Sequence, residues 1–276
     1  MDGVVQLPTA VVRNHVRALG RIDGPVMLFA HGFGCDQGMW SQVTPAFTDD
    51  YRVVLFDHVG AGRSDAGAYT TAKYDSLDGY VQDLLEICEQ LDLREVTLVA
   101  HSVSAMMAVA AAVQQPDRFR QLVLVAPSPC YIDDPEGEYV GGFSREDIDG
   151  LLESLESNYF AWAATMAPMV MGNPGTPELG AQMTDSFCRT NPDIARDFAR
   201  VTFLSDSRQL LGRVRTPALV LQCSDDVLAP VEVGRYVHAQ LAGSTLVQLA
   251  ATGHCPHVSA PVETIAAMRD HLSLAR

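Results

Sequence analysis

An apolar run from Val96 to Ala100 passes through His101-Ser102 into a small-residue stretch that begins at Val103, and this junction limits the fold more than any other segment. A short continuous apolar strand that turns at once into a helix belongs to a sheet buried on both faces, with helices as its cover. The pentapeptide Ala100-His101-Ser102-Val103-Ser104 puts a serine at the turn. A serine on a strained strand-to-helix turn is a nucleophile elbow, usually written G-x-S-x-G, in which small neighbours let helix and strand crowd the backbone. Ala100 and Ser104 replace both glycines yet remain small, so the turn stays feasible and the surrounding motifs must carry the assignment.

Those motifs lie at the ends of other apolar runs. Upstream, Val26 to Ala30 reads as a buried strand ending in His31-Gly32-Phe33-Gly34. Such a loop can aim the backbone N–H of Phe33 at the same point as that of Val103, the residue after the serine, and two converging donors make an oxyanion hole. Downstream, the strand Ala218 to Gln222 leads into Cys223-Ser224-Asp225-Asp226, and the strand Thr245 to Leu249 into Gly253-His254-Cys255-Pro256-His257. A serine hydroxyl needs an imidazole to take its proton and a carboxylate to orient that imidazole. Ser102, His254 and one of the two adjacent aspartates fill these roles; neighbours on an extended segment point to opposite sides, so only one aspartate can face the histidine. Singly, each residue has a structural explanation as a buried hydroxyl, a turn carboxylate or a capping histidine. Their joint appearance at strand ends, with a donor loop upstream, favours the catalytic reading. His101 and His257 read as packed residues.

Strand and helix alternate along the chain. Val53 to Phe56 precedes an amphipathic helix from Leu77 to Leu91, and Leu122 to Ala126 follows the elbow helix, whose apolar stretch Ala105 to Val113 is too short to span a membrane. This rhythm predicts a mostly parallel sheet with helices on both faces. It stops after Tyr131 and returns at Ala218. Between them lie an N-cap signal at Ser144-Arg145-Glu146-Asp147, an apolar-periodic run through Leu151, Leu155, Phe160 and Trp162, further helical segments around Met183 and Phe198, and the break Gly172-Asn173-Pro174-Gly175. The expectation is a helical cap over the strand ends, where ligands bind in open α/β sheets. Phe143, Tyr159, Phe160, Trp162, Met166, Met169, Phe187, Phe203 and Leu204 are the candidates for an apolar pocket above Ser102. Helical packing alone accounts for about half of such a set.

The formal net charge of −15 argues against nucleic acid and anionic membranes as partners. With 276 residues and 47% hydrophobic composition, one domain with a large core is expected. The six cysteines, at 35, 88, 130, 188, 223 and 255, lack metal-ligand spacing and read as free thiols, with Cys35, Cys130 and Cys255 near the site motifs. No cofactor or metal is implied. Met1 to Ala10 lacks the basic start and apolar run of an export signal, which points to the cytoplasm.

Several motifs taken together resemble a known group. They are His31-Gly32-Phe33-Gly34, Phe56-Asp57-His58-Val59-Gly60-Ala61-Gly62-Arg63-Ser64-Asp65, His101-Ser102-Val103, Pro127-Ser128-Pro129-Cys130-Tyr131, Gly141-Gly142-Phe143 and Gly253-His254-Cys255-Pro256-His257. The chain resembles the α/β-hydrolases grouped around the bacterial stress-response regulator RsbQ and the plant strigolactone and karrikin receptors. The likeness covers nearly the whole chain, and Pro127 to Tyr131 and Gly253 to His257 are more similar to RsbQ. It implies an α/β-hydrolase fold with the core in residues 1–130 and 206–276 and a cap of residues 131–205 inserted after the sixth strand. It selects Asp226, because the acid of such hydrolases commonly lies four residues before a proline, here Pro230. It implies a serine hydrolase acting on a small, mainly apolar ester or lactone. The alternative that it implies is a signalling receptor that binds or slowly hydrolyses such a molecule and activates a partner phosphatase in a stress response.

Overall fold

The computed structural model describes residues 9–274. Most of the stretch read above for an export signal, residues 1–8, lies outside the described residues. Seven strands form one sheet: β1 (Arg17–Gly20), β2 (Val26–Ala30), β3 (Arg52–Leu55), β4 (Val96–His101), β5 (Phe119–Val125), β6 (Ala218–Asp225) and β7 (Ser244–Thr252). Their spatial order is β1-β3-β2-β4-β5-β6-β7. Only β1 pairs antiparallel, with β3; the remaining pairs are parallel. β1 escaped the sequence reading because an edge strand with mostly exposed side chains carries no apolar run.

Every residue of β4 is buried, as a strand covered on both faces requires. Alternate side chains divide between two cores: Leu98 and Ala100 pack with one cluster, Val99 with the other. Among the described residues eight helices have ten residues or more: α1 (Leu77–Gln90), α2 (Val103–Gln114), α3 (Arg145–Ser157), α4 (Tyr159–Met171), α5 (Pro177–Arg189), α6 (Pro192–Leu204), α7 (Val231–Gln240) and α8 (Pro261–Leu274). No helix among them is long and apolar enough to cross a membrane.

Helices α3 to α6 form the insertion. It follows the fifth described strand, not the sixth as expected, since the chain enters it after β5 and rejoins the sheet at β6. The expected N-cap signal is a full capping box, with Ser144 and Asp147 each bonding the other's backbone amide. The apolar run from Leu151 to Trp162 is two helices rather than one, because Asn158 ends α3 and its side chain accepts from the Ala161 amide to start α4. Gly172, in the left-handed conformation, ends α4 within the predicted break.

The chain places β3 on one side of β2 and β4 on the other. The crevice between the carboxyl ends of β2 and β4 is therefore a topological switch point, where open α/β sheets bind ligands.

Candidate active site

Ser102 occupies the turn between β4 and α2 with φ 57° and ψ −127°. A positive φ on a non-glycine residue is strained by roughly 1–3 kcal/mol and persists only where the surroundings hold it. Here the Ser102 amide donates to the Val125 carbonyl at 2.9 Å, which anchors the turn to β5. Ser104, two residues on, uses its hydroxyl in a way glycine could not: it donates to the His31 carbonyl and lies 2.8 Å from His58 Nε2. The His58 amide in turn donates to His31 Nε2 at 3.1 Å. The elbow and the loop after β2 are thus tied together by directional bonds. Burial, followed by the nearby His31 charge, holds the His58 imidazole well below its ordinary value, so it stays neutral.

His254 brings two of the other predicted residues to Ser102. Its Nδ1 lies 2.8 Å from Asp226 Oδ2 and its Nε2 lies 2.7 Å from Ser102 Oγ. A carboxylate only accepts, so the Nδ1 proton faces Asp226 and the Nε2 lone pair faces the hydroxyl. The second Asp226 oxygen accepts from the amides of Leu228 and Ala229 at 2.9 and 3.1 Å. Burial pushes the Asp226 carboxyl up, but the His254 charge and these hydrogen bonds outweigh it and hold the group below its ordinary value. Asp225 is exposed and meets the site only through its backbone, which accepts from the Gly253 amide at 2.7 Å.

The loop that carries His254 is held from above as well. Its amide donates to the Val170 carbonyl of α4 at 2.8 Å. Gly253 has φ +88°, and a Cβ there would stand 2.0 Å from the Met171 carbonyl oxygen, so only glycine lets the insertion sit this close. Gly34 does the same for the loop after β2, where a Cβ would stand 2.0 Å from the Phe187 ring. Of the two predicted oxyanion donors, Val103 is the first residue of α2, whose N–H has no acceptor within its own helix, and Phe33 stands in the loop after β2 with its ring on the cavity wall.

Above Ser102 and His254 lies a cavity walled by Phe33, Trp162, Met166, Phe187 and Phe203, together with Tyr131. Its free volume is about 20 Å³, where a single water needs ~10–15 Å³. The Phe33 ring is the hub, meeting Trp162, Phe187, Phe198 and Phe203 edge-on at centroid separations of 5.6 to 6.2 Å.

Trp162, Met166, Phe187 and Phe203 were expected here; Phe143, Phe160 and Leu204 do not reach the cavity. Phe160 is 53% exposed because it stands two positions from Trp162 and so on the opposite face of α4, and Met169 is 51% exposed. Leu204, at the end of α6, lines a separate surface groove with Leu77 and Val201. Phe143 lies ahead of the cap helices, where its backbone bridges to Ile132. Tyr159 is buried but turns its hydroxyl to the Phe187 carbonyl at 2.8 Å. Cys35, Cys130 and Cys255 are buried away from the wall, and all six thiols are free.

The sequence reading missed Tyr131, whose hydroxyl lies 3.3 Å from Ser102 Oγ. Burial pushes its phenol up to about 12, so it keeps its proton at neutral pH. Val170, Met183, Thr202 and Leu228 also line the cavity without having been singled out for it. Their only signal was position: Val170 and Met183 sit one helical turn from Met166 and Phe187.

Residues 27–268 match the model of the Alpha/beta hydrolase family. Among curated proteins, the chain is 38% identical to a Karrikin insensitive 2 receptor of Petunia hybrida, over 94% of this chain and 95% of that one. It is also 38% identical to Strigolactone esterase D14 of Arabidopsis thaliana, over 90% and 92% of the two chains. Among solved structures, a hydrolase from Oleispira antarctica superposes with a TM-score of 0.92 at 39% identity, covering 96% of each chain. With its matched span, its sheet order and its elbow in agreement, the chain belongs to the alpha/beta hydrolase family.

Proposed function

We propose that the protein hydrolyses a small, mainly apolar carboxylic ester or lactone through an acyl-enzyme. The observation that carries this reading is the unbroken chain of bonds from Asp226 through His254 to Ser102 beneath an aromatic cavity. Ser102 Oγ attacks the carbonyl while its proton passes to His254 Nε2, and Asp226 steadies the imidazolium that results. The Phe33 and Val103 amides hold the oxyanion. His254 then gives the proton to the leaving oxygen, and a water deprotonated by the same nitrogen releases the acyl group and restores the Ser102 hydroxyl. An apolar wall favours an uncharged acyl group, and the narrow cavity favours a short one. The similarity to Strigolactone esterase D14 agrees with an ester or lactone bond as the target.

The test is turnover of a short aryl ester and of a small lactone, paired with labelling by a fluorophosphonate and peptide mapping. Labelling confined to Ser102, with turnover lost in Ser102→Ala by roughly 10⁶-fold, is the expected result. A label at another serine, or undiminished turnover in the variant, would overturn it.

A second reading, that of a receptor, is favoured by the bond between the insertion and the catalytic loop at Val170 and His254. A ligand that parts the cavity walls must shift residues 131–205 as a cap, and the cap is joined to the base. Slow hydrolysis would then serve signalling, with a partner protein reading the cap; the likeness to the RsbQ group names a phosphatase for that role. On the cap's outer face Asp147 is occupied by its capping box and Glu156 by Arg200, leaving Glu146 and Glu153 among the acidic residues of α3 open to a partner. Hydrogen exchange over 131–205 that is unchanged by a saturating unreactive ester analogue would leave a plain esterase.

A further inference from the structure

Beside the triad, three metal-ligand side chains meet in the interior, and a fourth, Cys35, stands next to them. One ligand atom each from His101, Cys255 and His257 lies within 4.8 Å of the others, and all three residues are buried. The Cys35 thiol, also buried, neighbours Cys255 and His101. His257 is fully buried, with Trp40 packed on its ring at 4.3 Å, yet neither of its ring nitrogens has a hydrogen-bond partner. His101 Nε2 lies 2.9 Å from the His254 carbonyl, which can only accept. The His101 proton is therefore on Nε2, and Nδ1 is a buried lone pair, also without a partner. Buried polar atoms left unpaired are costly, and an ion is one of the few things that repays them.

We propose that Cys35, His101, Cys255 and His257 form a Zn²⁺ site that staples the active-site loops together. Two imidazoles and two thiols are a borderline-soft N₂S₂ set, which suits tetrahedral zinc. Two thiolates also neutralise the ion, so the complex adds no net charge to an apolar interior, whereas a monovalent copper ion would leave one negative charge buried. Binding displaces the thiol protons still held by the pair, so affinity rises with pH. The carbonyl that fixes the His101 tautomer is the kind of outer partner that metal-bound histidines use. Three of the ligands adjoin different parts of the machinery. Cys35 stands two residues from Phe33, His101 precedes Ser102, and Cys255 follows His254. The ligands come from three separate segments of the chain, so no linear spacing reveals them.

The experiment uses the full chain stripped with a chelator and titrated with CoCl₂, then with ZnCl₂. The expected result is one metal per chain, a thiolate-to-cobalt band with tetrahedral intensity that zinc displaces, release of protons on binding and a raised melting temperature. The double variant Cys35→Ser, Cys255→Ser should weaken zinc binding by at least about 100-fold, the upper end of what losing a mere outer partner costs. No tetrahedral cobalt spectrum at saturation, or unchanged affinity in the double variant, overturns the site. Recovery of the two cysteines as a disulfide in air, with no cobalt band, also overturns it. Should the double variant fail to fold, the wild-type spectrum decides alone. No readout needs a substrate, so this test and that of ester hydrolysis fail separately.

Discussion

The floor and the roof of the cavity are built by different physics. On the floor, supplied by the sheet, every polar atom of the Asp226-His254-Ser102 chain has a short directional partner, and even the outer oxygen of Asp226 accepts two amides. The roof, supplied by the insertion, is a set of rings and thioethers that touch edge to face, with the Val170–His254 backbone bond as its directional link to the catalytic loop. Hydrogen bonds need a narrow range of distance and angle, while apolar contacts tolerate rearrangement. The floor can therefore set the chemistry and the roof the size of what is admitted. Mutations that respect this division should change rate on one side and selectivity on the other.

The largest effect expected is on the floor. Asp226→Asn should lower kcat by roughly four orders of magnitude, as loss of the orienting carboxylate does in a serine triad, because an amide can offer its N–H to Nδ1 and favour the wrong tautomer. Asp225→Asn should lie within about threefold of wild type, the usual size of a change at an exposed side chain. Steady-state rates on one aryl ester check both, and a reversed ranking would mean that Asp225 orients His254. The same carboxyl makes a pH prediction. Its folded value is below its ordinary one, so its contribution to stability is complete above about pH 4–5 and is lost as pH falls through the folded value. The stability gap between wild type and Asp226→Asn, followed by denaturant unfolding, should close as the pH is lowered through that window. A gap that is constant with pH would show that the charge carries none of it.

A roof substitution should do the converse. Trp162→Leu widens the cavity where the indole meets Phe33 and Phe187, at a cost below the roughly 3–5 kcal/mol of truncating a buried tryptophan to alanine. Each further methylene that the acyl chain can then bury is worth about 0.8 kcal/mol, or roughly fourfold in kcat/KM. The chain-length profile should shift towards longer esters, with kcat on the acetyl ester within about tenfold of wild type. A uniform loss across all chain lengths would break the division and give the roof a part in the chemistry.

The two halves also differed in how far they could be read from the sequence. The floor rests on local signals: a strand that turns into a helix at Ser102, a donor loop after β2, a glycine before His254. Even there, local chemistry left Asp225 and Asp226 equivalent. The structure separates them: Asp225 ends β6 after an irregular stretch of the β6–β7 register and is exposed, while Asp226, just past the strand, is buried against His254. The roof was legible as helices but not as a surface. Trp162 and Phe160 are chemically alike and two residues apart, and only the docking of α4 decides which one faces the cavity. Ser104 looked like a tolerated deviation from glycine, and its bonds to His31 and His58 become visible only when β2, β3 and the elbow are brought together. The edge strand β1 left no trace because pairing on one side buries too little to demand an apolar pattern.

Tyr131 belongs to both halves and gives the smallest and sharpest test. Its ring packs on Phe203 at 5.0 Å, while its hydroxyl lies 3.3 Å from Ser102 Oγ. Because the phenol keeps its proton and the Ser102 hydroxyl points its own at His254, Tyr131 is the donor. That bond is long for an O–H···O contact, so its worth is at most the ~1 kcal/mol of a neutral hydrogen bond, about fivefold. It occupies a lone pair that Oγ must use to attack, so removing it should speed acylation. In deacylation Oγ departs with developing negative charge, and the same donor then helps, so removing it should slow that step. Tyr131→Phe, which keeps the ring on Phe203, is therefore expected to move the two steps two- to fivefold in opposite directions. Pre-steady-state release of the aryl alcohol would show a larger burst followed by a slower steady rate. If both steps slow together, the hydroxyl is part of the transition-state cradle. If neither moves, Tyr131 serves the roof alone.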